Sequence, residues 1–331
     1  MSRAVEMITD CGWLIVGFVL LYFGAEWLVK GSSEIALKIG LTPLVVALTV
    51  VAFGTSAPEL LVSLQASLRD QGDIALGNIV GSNICNIALI LGAGAVVRPF
   101  VIHAQIIKRE MPVLLVISVV FVVFLWDGKV ERWEGAVLFT GIIVYIWASF
   151  RQAKREVFTE QFEEFEAEEV EAARKAGAGR VMLDVGLIVL GLAALIFGAD
   201  RLVVSGVSIA ERFGVPEAII ALTLVAFGTS LPELATAVVA SIRNQGDIIS
   251  GNAIGSCIFN ILAVVGLVAL IAPLSATGMT RIDLWVMLGL SFLIVPFMWS
   301  RMRLSRLEGV ILLAGYLGYC GYLAARGAGR V

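Results

Sequence analysis

Ten apolar segments of about 20 residues each limit what this chain can fold into, because a helix of that length crosses a ~30 Å hydrocarbon core. Of the 331 residues, 59% are hydrophobic and 15% are charged, too few polar residues to cover a water-soluble domain of this size. A bilayer offers no partners for open backbone groups, so we expect an all-α integral membrane protein. The segments lie near 12–30, 41–68, 73–97, 111–127, 131–150, 182–204, 215–242, 247–272, 282–300 and 304–325.

Lys and Arg are distributed unequally between the two sides that a ten-span count defines. The side that carries the hydrophilic stretch 151–180 collects 15 of the 24 basic residues. Cytoplasmic loops of membrane proteins carry an excess of Lys and Arg. We therefore predict a multi-pass protein of the cell (inner or plasma) membrane, with the 151–180 loop in the cytoplasm and both termini outside.

The chain matches itself without a gap when it is shifted by 174 residues. Residues 51–60, VAFGTSAPEL, fall on 225–234, VAFGTSLPEL, and the pattern GNxxGSxxxN recurs at 77–86 and 251–260. Each copy contains five spans, an odd number, so the second copy must be inverted relative to the first. Inverted repeats with a binding site near the bilayer midplane are a transporter architecture. We predict a first five-helix repeat at 1–150, an acidic cytosolic linker at 151–180 and an inverted second repeat at 181–331.

Spans two and seven are each interrupted by proline. Pro58 has no N–H, and its ring clashes with the carbonyl of Gly54, four residues earlier. The helix should break there and leave carbonyls from Ala52 to Thr55 without internal partners. Span seven repeats the interruption at Pro232. In hydrocarbon, such groups are tolerated only where they line a cavity or bind a cation.

Glu59 and Glu233 directly follow the two breaks and are the only carboxylates that we expect near mid-bilayer. Intramembrane acids usually mark a functional site. Their two charges match one Ca²⁺ or two monovalent ions, and Ca²⁺ takes six to eight oxygen ligands. Zinc or copper would need His or Cys, and the single histidine, His103, lies in a predicted loop. Without a cation, two close carboxylates repel one another and one should take a proton.

Two polar stripes, one in each repeat, recur every four residues along one helix face. They consist of Asn78, Ser82 and Asn86 in span three and of Asn252, Ser256 and Asn260 in span eight. Two interpretations stay open. Hydrogen bonding between helices is common in membrane bundles. The serines and the last asparagine of each stripe could also be neutral oxygen ligands of a cation.

The motif G-T-S-x-P-E followed by G-N-x-x-G-S-x-x-x-N, present in both repeats, resembles the two alpha-repeats of the sodium/calcium exchangers, in the compact prokaryotic form of the calcium:cation antiporter superfamily. The resemblance implies a cluster of four cation sites. In that cluster, Ca²⁺ would be bound by Thr55, Glu59, Thr229 and Glu233. One Na⁺, nearer the outside, would be bound by Ala226, Thr229, Ser230, Glu59 and Ser82. A second Na⁺, nearer the cytosol, would be bound by Ala52, Thr55, Ser56, Glu233 and Ser256. Asn86 and Asn260 would border the middle position.

One residue departs from the resemblance. Many members of this family, including the potassium-dependent ones, carry an aspartate where this chain has Asn260. The missing charge predicts that transport does not require K⁺. The resemblance also implies that the first and sixth spans slide across the rest of the protein and thereby give alternating access to the site.

These features favour a secondary antiporter that exchanges Na⁺ for Ca²⁺, with exchange of H⁺ for Ca²⁺ or another divalent ion as the alternative. A channel is disfavoured by the sealed site with two carboxylates, and an enzyme by the lack of a nucleophile–base pair in the spans. We expect the lipid bilayer, Ca²⁺ and Na⁺ as partners, and no cofactor, nucleic acid or obligatory protein partner. The inward Na⁺ gradient would make the net reaction Ca²⁺ extrusion.

Overall fold

The computed structural model describes residues 3–39, 41–156, 178–213, 226–275 and 281–327, and most of these are helical. The helices of the first half are α1 (Arg3–Ile39), α2 (Pro43–Thr55), α3 (Ala57–Ser67), α4 (Gly72–Val97), α5 (Ile106–Asp127) and α6 (Arg132–Glu156). The helices of the second half are α7 (Ala178–Arg212), α8 (Ala226–Gly228), α9 (Leu231–Ile242), α10 (Gly246–Ile271), α11 (Arg281–Met302) and α12 (Arg306–Gly327).

Eight of the described helices are long and apolar enough to cross a membrane, and the bent pair α2–α3 makes a ninth span. They correspond to the predicted spans one to six and eight to ten, so the predicted class, an all-α membrane protein with many spans, is confirmed. The predicted seventh span, 215–242, is described only in part. The helices α8 and α9 lie within it, and residues 214–225 lie outside the described residues.

The helices α1 and α7 are longer than the sequence predicts. They contain 37 and 35 residues, against predicted spans of 12–30 and 182–204. At 1.5 Å per residue each helix is about 50–55 Å long, well beyond the ~30 Å hydrocarbon core. The predicted spans were too short because they covered only the apolar residues, whereas both helices also include charged residues at their two ends.

The helices α1 and α7 contact each other through their backbones. A Cβ added to Gly24 would lie 2.9 Å from the carbonyl oxygen of Gly191, and a Cβ added to Gly191 would lie 2.8 Å from that of Gly24. Gly17 and Gly198 make the same kind of contact, with a separation of 3.0 Å to each other's carbonyl oxygen. Because the contacting glycines follow one another in opposite order along α1 and α7, the two helices are antiparallel. Small residues allow this close approach.

Ion pairs join the two ends of this helix pair. Lys38 of α1 pairs with Asp184 of α7, and both side chains are buried, with exposed fractions of 7% and 5%. At the other end, Arg212 of α7 lies 2.9 Å from Asp10 of α1. The 174-residue shift converts Lys38 into Arg212 and Asp10 into Asp184. The same contact therefore occurs twice, once at each end.

Two short antiparallel strand pairs connect the two halves of the chain. The strand β1 (Phe100–Val101) pairs with β4 (Arg303–Leu304), and β2 (Lys129–Val130) pairs with β3 (Leu274–Ser275). The 174-residue shift converts β1 into β3 and β2 into β4, so it exchanges the two pairs. Each half thus makes equivalent contacts to the other.

The helices α4 and α10 form the centre of the protein. In each, 78% of the most apolar 18-residue stretch is buried, against 33% in α1 and 28% in α7. Both contain a π-helical segment, at Cys85–Ile90 in α4 and at Asn260–Val265 in α10. Segments of this kind often occur at functional sites, and these two carry the last asparagine of each polar stripe.

Candidate cation-binding site

Both predicted helix breaks are present in the described residues. The helix α2 ends at Thr55, Ser56 has non-helical backbone angles (φ −81°, ψ 2°), and α3 begins with Pro58 in its first turn. The two helices meet at 40°. In the second half, Ser230 (φ −91°, ψ 4°) takes the same place before α9, which has Pro232 in its first turn.

The expectation of unpartnered carbonyls at the first break was wrong for Ala52. Its carbonyl oxygen accepts the backbone N–H of Ser56 at 3.0 Å, because one turn of the helix closes before the break. It also receives the Thr55 hydroxyl at 3.4 Å. A carbonyl oxygen has two lone pairs, so these hydrogen bonds, rather than an orphan oxygen, define its surroundings.

Glu59 lies at the contact between the two halves. Its side chain is 1% exposed, and its Oε1 accepts hydrogen bonds from the hydroxyls of Ser82 at 3.3 Å and Ser230 at 3.4 Å. The two serine hydroxyls lie 3.4 Å from each other. The Oε2 atom of Glu59 has no hydrogen-bond partner among the described residues. Three predicted ligands, from α3, from α4 and from the break before α9, therefore meet here.

Glu233 is equally buried, at 1% exposure, and neither of its carboxylate oxygens has a hydrogen-bond partner in the described part of the chain. On its side of the site, the hydroxyls of Thr55 and Ser256 are 3.5 Å apart. A buried charge without a partner is costly, so this carboxylate needs either a cation or a proton to neutralise it.

Two threonine–asparagine hydrogen bonds cross between the halves. The Thr55 hydroxyl donates to Oδ1 of Asn252 at 3.1 Å, and the Thr229 hydroxyl donates to Oδ1 of Asn78 at 3.1 Å. The Asn78 amide also donates to the backbone oxygen of Glu59 at 3.2 Å. The interpretation of the polar stripes as hydrogen bonding between helices is therefore confirmed for Asn78 and Asn252.

Asn86 and Asn260 are fully buried within the π-helical segments of α4 and α10. Neither amide atom of Asn86 has a hydrogen-bond partner among the residues that the structure describes, and the same holds for Oδ1 of Asn260. The Nδ2 group of Asn260 donates to Oδ1 of Asn83 at 3.3 Å. Asn83 was not singled out from the sequence, because its equivalent in the second repeat is Cys257 and the repeat therefore gives no signal there.

The remaining predicted ligands lie along the same breaks. Ser56 is 3% exposed, and its hydroxyl has no partner among the described residues. Ala52 is fully buried in α2. The backbone of Ala226 forms the start of α8, directly before the second break, and the structure does not describe its side chain.

The buried oxygens around the two breaks form a donor set for a hard cation. The set consists of two carboxylates, several hydroxyls and amide oxygens, and at least six of its atoms have no partner within the described ranges. Those ranges contain no group of three or more His, Cys, Asp or Glu residues that could hold a metal. Carboxylate, amide and hydroxyl oxygens are the ligands that Ca²⁺ and Na⁺ accept, whereas transition metals prefer imidazole and thiolate.

The fold is that of a membrane protein with many spans, and the donor set of this site fits hard cations. A family model described as "Sodium/calcium exchanger protein" matches residues 10–151 and 183–325. The chain therefore belongs to the sodium/calcium exchanger family.

Similar proteins cover almost the whole chain. Inner membrane protein YrbG of Escherichia coli K12 is 40% identical over 94% of this chain and 95% of its own length. Sodium/calcium exchanger MaX1 of Methanosarcina acetivorans is 33% identical over 92% of this chain and 96% of its own. Among solved structures, the sodium-calcium exchanger NCX_Mj soaked with Na⁺ and Sr²⁺ superposes with a TM-score of 0.81 at 32% identity, covering 94% of this chain and 97% of that one.

Proposed function

We propose that this protein exchanges Na⁺ for Ca²⁺ across the cell membrane by alternating access and thereby extrudes Ca²⁺. The observation that carries the proposal is the pair of buried glutamates, Glu59 and Glu233, whose carboxylates keep three of their four oxygens without hydrogen-bond partners among the described residues. Two uncompensated charges in a bilayer are expensive. The protein therefore needs a cation in this site at every stage, which couples release of one ion to binding of another.

The ligand sets proposed for this site follow the two breaks. Ca²⁺ would lie between Thr55, Glu59, Thr229 and Glu233, with Asn86 and Asn260 at its edge. The outer Na⁺ would use Ala226, Thr229, Ser230, Glu59 and Ser82, and the inner Na⁺ would use Ala52, Thr55, Ser56, Glu233 and Ser256. The contact of Ser82 and Ser230 with Glu59, and that of Ser256 with Thr55, support this division into two groups.

The proposed architecture is ten membrane-spanning helices in two inverted five-helix repeats. Reciprocal contacts support it, because the 174-residue shift exchanges Thr55–Asn252 with Thr229–Asn78 and one strand pair with the other. A relation of this kind is expected when the second repeat is related to the first by an axis in the membrane plane.

The proposed orientation has the 151–180 loop in the cytoplasm and both termini outside. A cavity of about 730 Å³ supports the count of spans, since it is lined by Ser33, Pro43, Phe100, Asn244 and Arg303. In the ten-span count, these residues belong to helix ends and connections on the same side as the 151–180 loop.

Alternating access is proposed to occur by sliding of α1 and α7 together across the other helices. The backbone contact of Gly24 with Gly191 and the two ion pairs at the ends support motion of this pair as one unit. The unit lies over the first break, because a Cβ on Gly54 would meet Leu192 of α7 at 2.5 Å. Its displacement would open the site to one side at a time.

The experiment is uptake of radioactive Ca²⁺ into proteoliposomes loaded with Na⁺ and diluted into Na⁺-free buffer. A second set of vesicles carries only a pH gradient, and a third adds K⁺ to the Na⁺-loaded vesicles. Ca²⁺ uptake that requires internal Na⁺ and does not change when K⁺ is added would support the proposal.

The alternative is exchange of H⁺ for Ca²⁺ or another divalent ion, and the same experiment separates it. Two buried carboxylates can carry two protons in place of one divalent cation, which favours this second candidate over a channel. Uptake driven by the pH gradient alone would establish proton coupling. Downhill Ca²⁺ entry without either gradient would contradict both forms of exchange.

A further inference from the structure

We infer that Asn83 is a positioning residue, which holds the amide of Asn260 so that its oxygen, rather than its NH₂ group, faces the cation. The inference rests on the proposed function, because it assigns a way in which the same site is made selective for cations. It does not make Asn83 a ligand.

The contacts form a short relay that is buried throughout. The Asn260 Nδ2 group donates to Oδ1 of Asn83 at 3.3 Å, and the Asn83 Nδ2 group donates to the sulfur of Met287 at 3.7 Å. Asn83 is 1% exposed, and Asn260 and Met287 are fully buried. The Asn83 backbone oxygen also accepts the thiol of Cys257 at 3.8 Å, which fixes the position of this residue against α10.

Met287 determines which way the relay runs. A thioether sulfur can accept a hydrogen bond but cannot donate one. Asn83 must therefore direct its NH₂ group toward Met287 and its oxygen toward Asn260. Asn260 must then direct its own NH₂ group toward Asn83, which leaves Oδ1 as the end of its amide that remains for another partner.

The remaining oxygen of Asn260 is on the cation side. Asn260 lies four residues after Ser256, so both lie on the same face of α10, and the Ser256 hydroxyl is 3.5 Å from that of Thr55. The Oδ1 atom of Asn260 has no partner among the described residues. If the relay were reversed, an N–H group would point at the cation, and the sulfur of Met287 would meet an amide oxygen instead of a donor.

The two repeats differ at this point. The equivalent of Asn83 is Cys257, whose thiol donates to the Asn83 backbone. The equivalent of Asn260 is Asn86, and neither of its amide atoms has a partner in the described part of the chain. Of the two asparagines, only Asn260 is thus oriented by a side-chain hydrogen bond within the described ranges.

The test uses the full-length protein and measures Ca²⁺ in two ways. The first is Ca²⁺-dependent thermal stabilisation of the purified protein in detergent, and the second is the Ca²⁺ dependence of uptake in Na⁺-loaded proteoliposomes. Asn83→Leu should raise the half-saturating Ca²⁺ about tenfold in both, with a maximal uptake rate within about twofold of wild type. Met287→Leu nearly conserves the side-chain volume but removes the sulfur that accepts from Asn83. It should raise the half-saturating Ca²⁺ about threefold, because the Asn83 amide is then no longer oriented.

A double-variant cycle shows whether Asn83 acts through Asn260. Asn260→Ala alone should weaken Ca²⁺ binding, and Asn83→Leu should have no further effect in that background. Ser291→Ala is the matched control, because it removes a buried hydrogen bond to the backbone oxygen of Met287, at 2.9 Å, and leaves the Met287 side chain unchanged. It should leave the half-saturating Ca²⁺ within about twofold of wild type.

The outcomes separate this inference from the proposed function. If Ca²⁺ stabilises the wild type but Asn83→Leu and Met287→Leu bind Ca²⁺ as the wild type does, the inference alone is wrong. An equal loss in the Asn260→Ala background, or in Ser291→Ala, would also overturn it, because either result indicates a general packing effect. A wild type that neither binds nor transports Ca²⁺ would overturn the proposed function and this inference together. If Asn83→Leu does not fold, the half-saturating Ca²⁺ of Met287→Leu tests the inference: a rise supports it, and a value equal to that of the wild type overturns it.

Discussion

The hydroxyl of Ser230 donates to Oε1 of Glu59 at 3.4 Å, although the two residues are 171 positions apart in the chain. Ser230 stands at the break of the second half, and Glu59 directly follows the break of the first. The contact joins the two breaks into one site, because the Glu59 carboxylate accepts a hydrogen bond from a group that the other half supplies.

Glu59→Gln and Glu233→Gln should each abolish exchange. Each change removes one of the two charges that neutralise Ca²⁺, and the loss of a charged contact in a buried site should lower uptake at least ~100-fold. The measurement is Na⁺-dependent Ca²⁺ uptake at a matched amount of folded protein. Glu131→Gln, at an exposed position, is the control. Near-normal uptake by either variant would remove that residue from the site.

Asn260→Asp should change the ion dependence of transport. The substitution adds a third carboxylate to the site, which should alter half-saturating Ca²⁺ by about tenfold and change its dependence on Na⁺ and K⁺. Uptake is measured at several Na⁺ and K⁺ concentrations. An unchanged dependence on all three cations would count against Asn260 bordering the site.

The ion pair at the buried end of the α1–α7 pair should matter more for stability than its counterpart. Asp184→Ala leaves the buried Lys38 with only the more distant and more exposed carboxylate of Glu34, at 3.6 Å, which should lower the free energy of unfolding by roughly 3 kcal/mol. Asp10→Ala affects a pair with exposed fractions of 30% and 17% and should cost about 1 kcal/mol or less. Thermal unfolding in detergent compares the two variants.

A double variant checks the cause of that difference. Lys38→Met combined with Asp184→Leu replaces both charges by apolar groups and should recover most of the stability that Asp184→Ala loses. An unfolding temperature that stays as low as in Asp184→Ala would show that the charge left behind is not the reason.

Gly191→Ala should disturb the contact of α1 with α7. Its new Cβ would lie 2.8 Å from the backbone oxygen of Gly24 and 2.8 Å from the backbone nitrogen of Leu28, so the helices must separate. We expect a loss of about 1–3 kcal/mol and slower exchange. Gly186→Ala, on the same helix, places its Cβ in open space and is the control. Equal thermal stability of the two variants would contradict the close contact.

Much of the site could be predicted because the repeat marks it. The two prolines and the residue types around them appear twice, and the structure places a break at each. The Ala52 carbonyl was predicted wrongly because a proline removes the hydrogen bond of the residue four positions earlier, Gly54, while Ala52 can still accept from Ser56.

Other features of the site could not be predicted from the repeat or from the pattern of apolar residues. Asn83 differs from its equivalent, Cys257, and its role depends on Met287, a residue of another helix that no spacing rule connects to it. The π-helical segments begin at Cys85 and Asn260, where the local sequence does not separate a π-helix from an α-helix, and tertiary packing rather than local propensity decides their position.

The pairing of β1 with β4 has a consequence for synthesis of the protein. The ribosome completes β1 and inserts Glu59 long before it reaches Ser230, and β4 follows only near the end of the chain. Until then, the first copy sits in the bilayer with an unpaired strand edge and an acidic side chain that nothing from the second copy shields. A chain truncated just before residue 303 would contain Ser230 but would leave the edge of β1 unpaired. The two halves therefore complete one another only after nearly the whole chain has been made.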